Sequence, residues 1–169
     1  MRPSRDKPGA MRRFAFRLPL LLERIVGPHL ERLFARVTGV EWLMLETIGR
    51  RTGRPHVVLL DVVGRDAEHD VYYVQPAYGR EAAWVRNIVA QPTVRVRAGG
   101  GRVRARVRDA TGTEGAEVVL RFVRAHPRYA RLIVYFVGYV ERLDRSDDDL
   151  RRDLANTPVF AIEVEPERG

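Results

Sequence analysis

The residues with the most chemical reach lie in one short run, Gly49-Arg50-Arg51-Thr52-Gly53-Arg54-Pro55-His56. Two glycines let a chain turn tightly and bring its backbone close to a ligand. Successive N–H groups in such a turn can form a concave anion nest. Arg50, Arg51 and Arg54 add guanidinium forks that pair with phosphate or carboxylate, bidentately where geometry allows. The run is not a Walker A loop, because the required spacing and the glycine–lysine pair are missing. By itself it reads more readily as a solvated basic hairpin turn than as a binding loop.

A second group sits in Ala83-Trp84-Val85-Arg86-Asn87-Ile88. At helical spacing Trp84, Ile88 and Gln91 share a face, with Arg86 and Asn87 beside it. The indole can stack on a planar ring or plug a core, and core is the commoner fate. Asn87 can bond a ligand or tie down a neighbouring loop. A third group is the row Arg95, Arg97, Arg102, Arg104, Arg106 and Arg108, which alternates with Val94, Val96, Val103, Ala105 and Val107. That is a hairpin with one apolar and one basic face. Such charges discourage edge-to-edge aggregation. No aromatic residues interleave with them to stack on bases, so nucleic-acid binding is not expected.

Several chemistries are excluded outright. There is no cysteine, hence no disulfide, thiolate metal site or thiol nucleophile. The serines are Ser4, in the tail, and Ser146, in a charged segment, which argues against a serine hydrolase. His29, His56, His69 and His126 show no metal-ligand spacing. The tyrosines Tyr72, Tyr73, Tyr78, Tyr129, Tyr135 and Tyr139 are numerous enough for one or two to line a pocket.

The elements that must position these groups follow from patterning. Residues 1–13 read as a basic tail, with Met11 a candidate start, and 14–169 as a single domain. From Leu18 to Val37 apolar residues recur at helical spacing, giving an amphipathic helix with a break expected near Gly27-Pro28. That helix packs on the rest of the chain or, given its arginines and the basic tail, lies on a membrane surface through residues 11–37. No apolar run of about 18 residues exists, so no transmembrane helix is expected. The stretch FAFRLPLLL is interrupted by Arg17 and Pro19 and lacks a small-residue cleavage site, so a cytoplasmic chain is expected. The net charge of +8 favours anionic partners, although the use of arginine for nearly every basic residue reflects a GC-rich genome as much as function.

Strands are expected at 41–47, 56–63, from 71 to 74, on both arms of the 93–108 hairpin, and at 157–165. Helices are expected at 80–91, about 112–125, 127–138 and after Ser146, whose hydroxyl suits an N-cap ahead of three aspartates. About six strands in two antiparallel meanders with peripheral helices make a mainly β, α+β chain. Its pattern suits a small barrel better than a doubly wound sheet.

In this order these segments resemble the deazaflavin-dependent nitroreductase family. The likeness runs from about Leu43 to Ala110, through LETIGRRTGRP and then AAWVRNIVAQPTVRVRAGGGRVRARVRDA, with weaker echoes in HPRYARLIVYF and TPVFAIEVEP. It implies a split β-barrel of the FMN-binding-like type that binds coenzyme F420, a deazaflavin with a phospholactyl-oligoglutamate tail. Arg51 matches the basic residue that meets phosphate and tail, and Arg50, Thr52 and Gly53 complete that loop. His56 stands where the family usually has a basic residue. Trp84, Arg86 and Asn87 match the helix flanking the cofactor. The 75–80 loop is short, with Tyr78 or Arg80 in the place of the missing ring-side contacts. The implied reaction is hydride transfer to a small organic acceptor such as a quinone, activated alkene or nitro compound, with Tyr78 or Tyr135 supplying a proton. Barrels of this kind often pair, so a homodimer is an expectation. FMN or haem in the same architecture, and a barrel without catalysis, are the rival readings.

Overall fold

A computed structural model describes residues 29, 32–98, 101–131 and 143–166. The expected tail and most of the expected N-terminal helix therefore lie outside the described residues, as does Tyr135.

Six strands form one closed antiparallel barrel: β1 (Trp42–Ile48), β2 (Pro55–Asp66), β3 (Val71–Val74), β4 (Thr93–Ala98), β5 (Gly101–Asp109) and β6 (Phe160–Val164). Their order around the barrel is β1-β2-β3-β6-β5-β4. It is thus built from two meanders, β1-β2-β3 and β4-β5-β6, joined through β1–β4 and β3–β6. The helices are α1 (32–38), α2 (Ala83–Ala90), α3 (Thr113–Ala125), α4 (127–131) and α5 (Asp147–Leu154), with a 3-10 turn at Gly79–Glu81. The architecture is the split barrel with peripheral helices that the sequence implies.

Period-two patterning explains the barrel. Leu43 and Leu45 of β1, Leu60 and Val62 of β2, Tyr72 and Val74 of β3, and Val94 and Val96 of β4 point inward. So do Ala105 and Val107 of β5, and Phe160 and Ile162 of β6. The outward set on β2, β3 and β6, Val63, Val71 and Ala161, makes a second core with Val118, Val119, Val123, Leu150 and Leu154 of α3 and α5. Helix α3 seats closely because β2 carries Gly64, where a Cβ would come within 2.3 Å of Val118 Cγ1.

Three elements differ from the sequence expectation. β2 runs on to Asp66, because after a register shift between Val62 and Gly64 it pairs with β3. The expected helix 80–91 is a 3-10 turn followed by α2, divided at Ala82, whose φ of −56° and ψ of 139° are non-helical. The last strand is shorter than 157–165, because Thr157 bonds back to Leu154 at the end of α5 rather than to a neighbouring strand. Ser146 does cap α5, its Oγ accepting from Asp149 N at 3.2 Å.

The register leaves one opening. β2 meets β3 only from Val62 onward, so among the described residues the far edge of β2 at 55–60 has no strand beside it. The chain from β3 to β4 closes that end of the barrel with α2, whose Trp84, Val85 and Ile88 enter the barrel core. The β1–β2 turn and α2 are thereby brought together.

Candidate functional site

The turn between β1 and β2 is closed by its own backbone. Gly49 N donates to Arg54 O at 2.8 Å, and Gly53 N and Thr52 N donate to Gly49 O at 2.8 and 3.2 Å. Arg54 N donates to Thr52 Oγ1 at 3.3 Å. Gly53 has φ +63°, a left-handed conformation that suits glycine. Five amide donors, those of residues 49, 50, 52, 53 and 54, are consumed internally, the fifth by Asn87 as described next. The expected anion nest is therefore not formed. An anion at this turn would be held by side chains.

Asn87 is the anchor. It is 3% exposed. Its Oδ1 accepts from Arg50 N and from Arg50 Nη1, both at 3.2 Å. Its Nδ2 donates to Thr47 Oγ1 at 3.1 Å, and the Thr47 hydroxyl donates to His56 O at 3.4 Å. One amide on α2 thus fixes the end of β1, the start of β2 and the turn between them. The geometry makes Asn87 a positioning residue, since its carbonyl oxygen and one of its N–H groups already serve the protein. Thr47 was not singled out from sequence. Its signal was there, a hydroxyl on the inward register after Leu43 and Leu45.

The other expected residues divide. Arg51 and Arg54 are exposed and make no side-chain hydrogen bond or ion pair with described residues, in contrast to Arg50. Thr52, Gly53 and His56 are exposed on the same turn and strand start. Trp84 is 7% exposed and meets Phe160 edge-on, ring centroids 5.4 Å apart. It takes the core role of the two open to an indole here. Arg86 is exposed and paired with Glu81. Tyr78 is 45% exposed, beside the 3-10 turn. Arg80, a candidate for ring-side contact, is engaged elsewhere: it donates to Asp109 at 2.6 Å and Thr111 at 3.0 Å and lies over the Phe160 ring. Partial burial works against the Asp109 carboxylate, yet the bonds from Arg80 and Thr111 hold its pKa below the ordinary value.

Electrostatics at the turn are simple. Arg51 and Arg54 present cationic forks to solvent, with backbone and Arg50 locked behind them. That suits a flexible polyanion better than a deep, enclosed ligand. Among the described residues no group of histidine, aspartate or glutamate side chains could hold a metal ion. No described helix is long and apolar enough to cross a membrane. A cavity of about 610 Å³ lies between α3 and the second half of β2, lined by residues such as Val63, Arg65, Arg121 and His126. It includes none of the cofactor-site residues expected from sequence, but Tyr73, one of the tyrosines thought able to line a pocket, borders it.

Comparison with known proteins places the chain. Its residues 24–135 match the model of the F420H(2)-dependent quinone reductase family. Among solved structures, an F420-H2 dependent reductase is similar at 24% identity and TM-score 0.49, over 72% of this chain and 93% of the other. A conserved hypothetical protein from Mycobacterium tuberculosis is similar at 12% identity and TM-score 0.49, over 92% and 85%. A pyridoxamine 5'-phosphate oxidase-related, FMN-binding protein from Nostoc punctiforme is similar at 13% identity and TM-score 0.44, over 89% and 82%. Curated proteins give no match. With the matched region spanning the basic turn, α2 and the arginine hairpin, the chain belongs to the F420H(2)-dependent quinone reductase family, an oxidoreductase family whose cofactor is coenzyme F420.

Proposed function

We propose that this protein reduces a small organic acceptor, a quinone in the first instance, with Arg51 and Arg54 gripping the anionic tail of F420. The observation that carries the reading is the basic turn itself: two exposed guanidinium groups, with no ion-pair partner among the described residues, on a loop tied down by Asn87. When bound in reduced form, the cofactor supplies the hydride equivalent. The residues of this chain bind and orient. Arg51 and Arg54 pair with phosphate and carboxylates, and Thr52 and His56 flank them. Trp84 works from inside, keeping α2 seated in the barrel end. Holding the donor and acceptor in a fixed approach is the main lever on rate in such a site. Tyr78, exposed at the loop before α2, is the described candidate for handing a proton to the reduced acceptor.

Fluorescence titration with F420, with FMN in parallel, tests the reading. Saturable F420 binding, weakened about tenfold by Arg51→Ala, is the expected result, the loss of a charge-assisted contact of about 1.4 kcal/mol. Preference for FMN, or F420 binding indifferent to both Arg51 and Arg54, would sink it. Unchanged turnover in Tyr78→Phe would remove Tyr78 as proton donor without touching the rest.

A second observation favours a place for the acceptor. On α1, Leu33 and Val37 are 55% and 76% exposed at i and i+4, while Phe34 packs on Trp42 at 5.0 Å. Exposed Arg32 and Arg36 flank them. This supports peripheral contact with an anionic lipid surface, where quinones are dissolved. Flotation with vesicles containing about one-third anionic lipid, lost in Leu33→Asp/Val37→Asp, is the outcome expected. Equal recovery of both proteins at the top of the gradient would refute it.

A further inference from the structure

The outward arginines of β4 and β5 are not equivalent. Arg108 is held by Glu114 and Glu163. Arg104 lies 3.6 Å from Glu165. Arg95 and Arg102 converge on Glu46, at 3.3 and 3.6 Å, and that side chain is only 12% exposed. Arg97 makes no hydrogen bond or ion pair with a described residue. Yet Arg97 is the register partner of Arg102, so two cations stand directly opposite each other. Like charges in that position repel. Among the described residues lining this spot the one acid, Glu46, is shared by Arg95 and Arg102.

These residues enclose a shallow depression on the outside of the barrel. Met44, Val57, Val96 and Glu46 line it with Arg95, Arg97 and Arg102. Its free space of about 10 Å³ suits one water-sized group, such as a single oxygen of a carboxylate resting at its mouth. Three guanidiniums against one carboxylate leave a local surplus of positive charge. The depression also continues the basic turn. Val57 lies three residues after Arg54 on β2, about 10 Å of extended chain. Val57 and Arg95 both pair with Glu46, so β2, β1 and β4 carry the depression in one band.

We propose that this depression is a subsite for the outer carboxylates of the cofactor's oligoglutamate tail, with Arg97 as its specific contact. The inference rests on the turn being the tail's point of departure. A tail too short to leave the turn ends at Arg51 and Arg54. A longer one passes over the rim beside Arg54 and places a carboxylate between Arg97 and Arg102, relieving their repulsion. The protein thereby distinguishes cofactor molecules by tail length, through a contact remote from the ring.

The test is equilibrium binding of F420 species carrying no glutamate, two glutamates and five or more, to the intact chain. Affinity is expected to rise with tail length. Arg97→Gln should lower affinity for the longest tail about two- to fivefold, as for one exposed ion pair, and leave the glutamate-free form unchanged. Arg104→Gln, on the same face but paired with Glu165, should match the parent. Free oligo-γ-glutamate peptide should shift the methyl NMR signals of Met44 and Val57. Equal affinity for all tails, or an equal loss for all of them in Arg97→Gln, overturns the subsite. So do Met44 and Val57 signals that move with protein concentration alone, which would mark the depression as a contact between copies. Should no F420 species bind, the proposed function falls; peptide-induced shifts at Met44 and Val57 would then still uphold a polyanion subsite, and their absence would dismiss it.

Discussion

Asn87 shows how one side chain can hold a whole turn in place through its protein partners. It satisfies a backbone donor and a guanidinium of Arg50 on one side and donates a hydrogen bond to buried Thr47 on the other. Asn87→Ala leaves the Thr47 hydroxyl with one partner fewer and frees Arg50 N. Losing buried partners costs about 1–3 kcal/mol, which in a domain of this size lowers Tm by roughly 3–9 °C. The more telling readout is local. Amide exchange should accelerate at residues 50–54 while β4 and β5 stay protected, and F420 affinity should fall severalfold. Unchanged exchange at the turn would show that its own backbone bonds suffice. Asn87→Asp, whose carboxylate still accepts from Arg50, should recover most of the turn's protection.

At the scale of elements, the outer face of β1 and β2 is covered by α1 and α4 through an aromatic cluster around an acid. Trp42 meets Phe34 of α1 and, edge-on, Tyr129 of α4, which in turn meets Phe122 of α3. Asp61 of β2 accepts from the Tyr129 hydroxyl at 3.2 Å. Burial pushes the Asp61 pKa up, against the smaller opposing effects of its own backbone bond and Tyr129. Burial, followed by the Asp61 charge, pushes the Tyr129 phenol up as well. A carboxyl with a raised folded pKa contributes its stability at low pH and loses it as pH rises through that value. At neutral pH burial of the charged carboxylate therefore weakens folding relative to a neutral isostere. Asp61→Asn, which can still accept from Tyr129, should raise Tm by about 2–4 °C at pH 7, the change that accompanies about 1 kcal/mol in a domain of this size. The gain should vanish near pH 3, below the unfolded pKa of Asp61, where the carboxyl is neutral in both states. A Tm for the variant that is lower than the parent's at pH 7 would mean that the ionised carboxylate, bonded by the neutral Tyr129 hydroxyl, stabilises the folded protein after all.

Across the whole molecule, charge is the organising quantity. The chain carries +8, yet most of its described arginines are neutralised by neighbouring acids, as at Arg80, Arg108, Arg124 and Arg151. Arg51, Arg54 and Arg97 make no ion pair among the described residues, and they lie on the adjoining strands β2, β1 and β4 or on the turn between two of them. Association with a polyanionic cofactor should accordingly weaken with salt, since exposed charges are screened over about 8–10 Å at ordinary ionic strength. A fall in affinity of about threefold or more between roughly 50 and 300 mM salt is expected, smaller in Arg51→Ala. Salt-independent binding would place the affinity in the ring pocket and not in the tail.

The sequence alone determined the strand count, the meander pattern, the helix cap at Ser146 and the identity of the basic turn. Each is local: period-two alternation, glycine in a turn, a hydroxyl before three aspartates. These signals need no distant partner to be read. Only the tertiary structure decided which arginines are free. Arg50 and Arg80 look as available as Arg51 in the chain, but partners 37 and 29 residues away consume them. It likewise turned Trp84 inward, because α2 fills the barrel opening that the β2–β3 register leaves. Asn87 became a latch for the same reason, since closing the barrel brings α2 against the β1–β2 turn. Long-range pairing is set by the closure of the sheet, and a one-dimensional pattern carries no information about which side chains that closure brings together.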